Sequence, residues 1–170
     1  MQETQTKIYY SHLQIKMEKT LLAATENGLC WAGSFNEDFH DMQAWLSKKF
    51  HSFTLEENQA IMEPYINQFE EYFTGERDVF DIALDLQGTP FQLAVWESLL
   101  KIPYGETRTY TEIAENIGNP KSIRAVGTAI GRNPALVVVP CHRVINKNGE
   151  LGGFRGGIDL KRSLLELESV

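Results

Sequence analysis

A thiol, an imidazole and a guanidinium stand side by side in Cys141-His142-Arg143, directly after Pro140. The thiolate is the reactive form of cysteine, and a neighbouring base or cation favours it. The trio therefore has the residue types of a nucleophile with its activating base. The other reading is a small buried hydrophobe, since free cysteine is among the most buried residue types. The apolar run ahead of it, ending in Val137-Val138-Val139, is expected to form a short buried strand. Proline cannot donate to a ladder, so pairing should stop at Pro140. Cys141 would then sit at the tip of a rigid element.

Other chemistry is sparse. Cys30 is the second of two cysteines. The paired-cysteine spacings of a structural zinc site are absent, and no metal site is expected. His12, His40 and His51 are isolated. The first 86 residues contain no phosphate loop, nucleophile or metal cluster.

A chain of 170 residues makes one domain or two small ones, and 42% hydrophobic with 23% charged content is ordinary for a globular protein. No apolar run approaches the roughly 20 residues of a membrane span. The start, Met1-Gln2-Glu3-Thr4-Gln5, lacks the basic and apolar regions of a secretory signal. Two thiols in that setting point to a reducing, cytoplasmic location without a disulfide. The net charge of −7 argues against nucleic acid, but its distribution argues back. Residues 1–100 carry 6 basic and 16 acidic side chains, whereas residues 101–170 carry 10 basic and 7 acidic. A basic half suggests a polyanionic partner there.

The positioning elements follow from periodicity and punctuation. Residues 8–17 read as a strand, and Glu26-Asn27-Gly28 between apolar runs reads as a hairpin turn. Residues 38–50 and 58–73 read as amphipathic helices, and residues 79–86 as a further strand. This predicts a small α/β unit over residues 1–87, acting as a supporting domain. Residues 88–170 should form a mainly α, helix-turn-helix, winged-helix-like domain.

In that second part Thr89-Pro90-Phe91-Gln92 is a helix start with a capping box. The helix should run to about Leu100 and bury Phe91, Val95 and Leu99. Thr109-Tyr110-Thr111-Glu112 is a second capping box, for a helix ended by Gly118. Asn119 and Pro120 offer the N-cap and first position of the next helix, which should run to Ile130. Two short helices joined by a Gly-containing turn make a helix-turn-helix pattern. On its second helix Ile123, Val126 and Ile130 share one face; Arg124, Gly127, Thr128 and Gly131 share another. Glycine inside a helix costs up to about 1 kcal/mol, so that small face needs a reason. It suits either packing on a neighbour or close approach to a partner with Arg124 projecting. Lys121, Arg124, Arg132, Arg143, Lys147 and Arg155 favour a phosphate-lined partner. The glycine-rich stretch 151–157 marks a flexible loop or backbone crowding against a ligand. Asp159 can cap a last helix that turns Leu160, Leu164 and Leu167 inward and leaves Lys161 and Arg162 to solvent or phosphate.

Pro140-Cys141-His142-Arg143-Val144 resembles the active-site motif of the O6-alkylguanine-DNA alkyltransferases, the methylated-DNA–protein-cysteine methyltransferases. Thr109-Tyr110, Arg124-Ala125-Val126-Gly127, Asn133-Pro134 and the glycine-rich loop match in the same order. The resemblance covers about residues 88–168; the first half matches only in size and coarse pattern.

The resemblance implies irreversible transfer of an alkyl group from guanine O6 to Cys141, without a cofactor or bound metal. It implies a monomer meeting duplex DNA through the minor groove at an alkylated guanine, and leaves alkylated thymine open. His142 takes the place of the family's base, described as acting through a water. Glu168 takes that of the carboxylate orienting it, with Glu166 as the alternative two residues away. Asn133 resembles the hinge asparagine linking the helix-turn-helix to the nucleophile. Arg124 resembles the arginine that enters the base stack, with Gly127, Thr128 and Arg132 on the DNA side. Tyr110 resembles the tyrosine that bonds the extruded base and supplies a proton. Val144, Gly153, Phe154 and Arg155 should line the base pocket, largely through backbone groups. Phe154 stands where a tyrosine is frequent and Arg155 where a small residue is common, which bears on pocket width.

Three rival readings remain. An alkyltransferase-like binding module would lack the nucleophilic cysteine, which is present here. A helix-turn-helix regulator would not need the thiol motif. A cysteine hydrolase would use the same cysteine–histidine pair for acyl transfer and regenerate its thiol.

Overall fold

The computed structural model describes residues 4–169; Met1–Glu3, part of the start on which the expectation about a secretory signal falls, and Val170 lie outside the described residues. The chain folds as two compact units, Met1–Gln87 and Gly88–Val170.

The first unit is a four-stranded sheet with two helices. Strands β1 (Thr6–Ile15), β2 (Glu18–Thr25) and β3 (Gly28–Ala32) form an antiparallel meander. Helix α1 (Phe39–Lys49) then crosses over to β4 (Phe53–Glu57), which pairs parallel to β1, giving the order β3-β2-β1-β4. Helix α2 is Gln59–Phe73. Period-2 alternation sorts the sheet's side chains. Ile8, Leu21 and Ala23 pack with Cys30, Trp31 and with Met42 and Leu46 of α1. Leu22 and Ala24 point the other way and are equally buried, and α2 packs on β1 and β2. Asp38 caps α1 in a reciprocal box with Asp41, and Asn58 caps α2.

Two expectations for this unit change. β4 has no counterpart in the sequence reading: it is five residues long, lies between helices, and has only Phe53 and Leu55 half-buried. Residues 79–86 form no strand. They make one parallel bridge, Leu84 to Leu29, with the Leu29 N–H donating to the Ala83 carbonyl at 2.9 Å. Phe80 holds the segment instead, its ring 5.1 Å from Phe69 and 5.4 Å from Tyr72. The segment passes so close to the hairpin that a Cβ on Gly28 would meet the Ala83 carbonyl carbon at 2.5 Å. Gly28 also has a φ of +143°, which side chains rarely adopt.

The second unit is mainly helical. Helix α3 (Pro90–Leu100) carries the expected Thr89–Gln92 box. It buries Val95 and Leu99, with Trp96 fully buried and Phe91 only half-buried. The Trp96 indole N–H donates to the Ala129 carbonyl at 2.8 Å and ties α3 to the second helix of the helix-turn-helix. β5 (Arg108–Thr109) leads straight into α4 (Tyr110–Asn116), capped by the Thr109–Glu112 box. Helix α5 is Ile123–Gly131. It starts three residues later than expected. Asn119–Ser122 forms a separate turn, Ser122 Oγ donating to the Asn119 carbonyl, and Ser122 becomes the N-cap.

The valine run is buried but is not a strand. Val138 N–H bonds the Leu136 carbonyl and Val139 N–H the Ala135 carbonyl, at 2.9 and 3.0 Å. Val137 has a φ of +75°, uncommon for any side chain and worst for a β-branched one. The chain therefore doubles back before Cys141, which opens a single 3₁₀ turn, Cys141–Arg143. β6 (Val144–Ile145) follows and pairs parallel with β5. Helix α6 is Ile158–Glu168; its N-cap is Gly157, not Asp159. Its inward face is Lys161, Leu164 and Glu168, while Leu160 and Leu167 are only half-buried.

Candidate active site

The β5–β6 pair sets the site's geometry. It fixes Arg108 opposite Val144 and Thr109 opposite Ile145, which brings Tyr110 beside the turn that carries Cys141. Tyr110 Oη lies so close to Gly152 that a Cβ there would sit 3.0 Å away, and Gly152 has a φ of +75°. The glycine-rich stretch is therefore crowded backbone at this point.

Cys141, Tyr110, Gly127, Gly153, Phe154 and Arg155 line one open cavity of about 720 Å³, together with Thr111, Ile123, Ile130, Gly131, Asn146 and Lys147. A single-ligand pocket commonly measures about 300–1,000 Å³, so one nucleobase fits. Cys141 itself is only 3% exposed. Its Sγ accepts a hydrogen bond from Asn133 Nδ2 at 3.3 Å. The same amide group donates to the Val139 carbonyl at 2.8 Å, and Asn133 Oδ1 accepts from Ala135 N–H at 2.9 Å. Asn133 thus joins the end of α5 to both sides of the doubled-back run. Burial pushes the Cys141 thiol above its ordinary value; the Asn133 amide, Arg155 and Lys161 pull it back.

Behind the thiol lies a closed ionic group. His142 Nε2 is 2.8 Å from Glu168 Oε1. Arg143 donates from Nε to Glu168 Oε2 at 2.9 Å, from Nη2 to Oε1 at 2.8 Å, and from Nη1 to the Ile102 carbonyl at 2.7 Å. Its guanidinium also covers the Tyr104 ring at 5.7 Å. Glu166 is exposed, so Glu168 is the carboxylate at the histidine. A fork of two N–H donors on one carboxylate keeps that carboxylate ionised. An ionised carboxylate only accepts, so Nε2 carries the imidazole proton. Nδ1 then has a free lone pair, and it is buried with no hydrogen-bond partner in the chain. Burial lowers the His142 pKa, partly offset by Glu168, so the ring is held neutral.

Some expected site residues are placed elsewhere. Arg143, expected among the cations that favour the thiolate or a phosphate, is 8% exposed and engaged with Glu168. Val144 is fully buried and is not among the cavity's lining residues. Its carbonyl is occupied by Lys161 Nζ at 2.6 Å. Lys161, expected at the surface, is 0% exposed and also reaches the Gly153 carbonyl at 3.3 Å. Burial pulls its pKa down to about 8. The sequence does carry a signal for it: Lys161, Leu164 and Glu168 share one helical stripe, and the lysine's charge masks its position.

The expected DNA-contacting residues divide around α5. Gly127 faces the thiol cavity. Arg124, Thr128 and Arg132 are exposed and line a second hollow of about 600 Å³ with Lys121 and the start of α3. Among the described residues no group of three metal-ligating side chains occurs, and no helix is long and apolar enough to cross a membrane.

A helix-turn-helix unit that holds a buried thiol, a neutral imidazole and an ionised carboxylate behind a base-sized cavity defines a narrow class. Residues 90–170 match the family described as "6-O-methylguanine DNA methyltransferase, DNA binding domain", and residues 8–86 match its "ribonuclease-like domain". The chain is 44% identical over 168 residues to the inducible methylated-DNA–protein-cysteine methyltransferase of Bacillus subtilis, covering 99% of this chain and 94% of that protein. A Methanosarcina acetivorans protein, a methylated-DNA–protein-cysteine methyltransferase, is 44% identical over 163 residues, covering 95% and 98%. The crystal structure of Mycobacterium tuberculosis O6-methylguanine methyltransferase superposes with a TM-score of 0.80 at 40% identity, over 95% of this chain and 92% of that one. The M. tuberculosis OGT in complex with DNA gives a TM-score of 0.82 at 41% identity, over 94% and 92%. The chain belongs to the methylated-DNA–protein-cysteine methyltransferase family.

Proposed function

We propose that this protein repairs DNA by moving an alkyl group from guanine O6 onto Cys141, once per molecule. The observation that carries the reading is the thiol at the wall of a base-sized cavity, backed by a histidine whose free lone pair is held ready by Glu168 and Arg143. The Cys141 proton passes to His142 Nδ1 through a bridging water. The sulfur attacks the alkyl carbon in line; the S–C bond forms as the C–O6 bond breaks. The guanine leaves as an anion and takes up a proton from Tyr110, whose hydroxyl lies in the same cavity. His142 then returns its proton to solvent, and the Tyr110 phenolate takes one up from it. The product is a thioether with no carbonyl for water to attack, so the thiol is not regenerated.

DNA is the partner. A base stacked in a duplex cannot reach a recessed thiol, so the nucleotide turns out of the helix at a cost of a few kcal/mol. Arg124, exposed on α5, fills the gap it leaves. Thr128 and Arg132 meet the backbone beside it, and the small residue Gly127 lets α5 approach within the minor groove. Gly153, Phe154 and Arg155 close over the extruded base. The protein acts as a monomer.

The test is mass spectrometry of the intact protein and its peptides after incubation with duplex DNA carrying O6-methylguanine. One methyl group on the peptide containing Cys141, at no more than one per chain, is expected. Methylated DNA consumed repeatedly with an unmodified Cys141 would overturn the reading.

A further inference from the structure

We propose that Lys161 is a positioning residue that holds the two walls of the thiol cavity at a fixed separation. The inference rests on the alkyl-transfer reading above and adds to it a residue outside the cysteine–histidine–glutamate chain.

Lysine is almost never fully buried without a partner, because its ammonium loses its hydration. Lys161 is 0% exposed, and its hydrogen-bond acceptors are backbone carbonyls rather than carboxylates. They are Val144 at 2.6 Å and Gly153 at 3.3 Å. Val144 directly follows the turn that carries Cys141, His142 and Arg143. Gly153 is a cavity wall within the glycine-rich loop. Residues 151–154 have no regular structure of their own. One buried cation from α6 therefore spans the nucleophile's turn and the loop that faces it. A charged donor between two acceptors also keeps both carbonyl dipoles turned towards the ammonium. The cation lies near the sulfur and favours its negative form, in company with Arg155. His142 feels it in the opposite sense, which keeps the imidazole neutral.

Lys161→Met keeps the length and apolar stem and removes the ammonium. Two quantities separate positioning from mere support. Single-turnover transfer is measured with increasing protein over methylated duplex, giving a limiting rate and a half-saturating concentration. Hydrogen exchange is followed along the chain. The limiting rate is expected to fall about 10- to 100-fold, on the scale of losing a hydrogen bond to a charged group, with the short Val144 bond the larger of the two lost. The half-saturating concentration should stay within about twofold, because no DNA-facing residue changes. Faster exchange should be confined to residues 151–157. An unchanged limiting rate would overturn the inference while leaving Cys141 alkylation intact. So would a slower rate accompanied by faster exchange throughout residues 88–169, since that is general loosening. Failure of the wild-type protein to transfer methyl at all would overturn the reading on which the inference rests.

Discussion

The two units each bury one cysteine, and the two thiols have opposite surroundings. Cys30 on β3 is 0% exposed, and its Sγ donates to the Ala23 carbonyl at 3.5 Å. Burial and then the negative charge of Asp85 push it up to about 12. Cys141 is 3% exposed and also raised by burial, but its neighbours are a donor, Asn133, and two cations, Arg155 and Lys161. Burial alone would make both inert. What differs is the sign of the charges around the sulfur. Both sulfurs meet backbone N–H groups that favour S⁻, but at Cys30 the nearby charge is an anion, Asp85, which opposes it, and at Cys141 the charges are cations, which favour it. An open cavity reaches the second.

Substituting each sulfur in turn gives the largest expected effect. Cys141→Ser should abolish methyl transfer while duplex affinity stays within about twofold, because the hydroxyl is a far weaker nucleophile of similar size. Cys30→Ala should leave the transfer rate within about twofold, no reacting group having been lost. Transfer assays and DNA titrations on both variants check this. Residual transfer in Cys141→Ser, or equal loss in both variants, would erase the distinction between the two thiols.

The carboxylate behind each thiol comes next. Glu168 binds His142 and Arg143 in a fully buried group, whereas Asp85, near Cys30, accepts from the neutral groups Thr25 Oγ1 at 2.5 Å and Gln87 Nε2 at 2.8 Å and is half-buried. Glu168→Gln leaves the Arg143 charge buried and uncompensated, at a cost of about 3–5 kcal/mol. It also frees His142 from its fixed tautomer, so transfer should slow as well. Asp85→Asn should cost about 1 kcal/mol and leave transfer alone. Urea unfolding of the two variants reads the difference; similar losses would mean that the Glu168 group is no more than ordinary packing.

Much of this site is legible along the chain because its parts announce themselves locally. The Thr89–Gln92 and Thr109–Glu112 boxes are four-residue signals, and both form as expected. The features that escape the sequence depend on distant partners or on backbone that side-chain type does not encode. Val137, Val138 and Val139 are apolar and buried, as expected, but apolar runs report burial and not extension. The turn at Val137 depends on Asn133 and on the Ala135 carbonyl. Arg143 has the residue type of a free cation, yet its partners are Ile102 and Glu168, 41 and 25 residues away. Lys161 carries a charge that suggests the surface, although its helical position puts it inside. The division of the residues expected to meet DNA around α5 depends on the packing of α3, which the helix pattern alone does not carry.

The smallest expected effect is in pH dependence, where the two thiol sites should again part. His142 acts as a base only when neutral, and burial lowers its pKa below the ordinary 6.5. The transfer rate should therefore hold level as pH falls through 6.5 and drop only below it. A folded pKa below the unfolded one means the unfolded chain binds more protons there. The matching contribution to stability is present above pH 6.5 and is lost as pH falls through the depressed value. Both thiols run the other way. Their pKa values are raised, so their contribution is present below the ordinary thiol range, about 8.5, and is lost as pH rises above it. Cys30→Ala should blunt that alkaline loss of stability without touching the acid limb of the transfer rate. Transfer rates and urea midpoints measured across pH separate the two limbs. A transfer rate that halves at pH 6.5 would show that the imidazole behind Cys141 titrates as an exposed histidine does, and the contrast between the two buried thiols would lose its basis in His142.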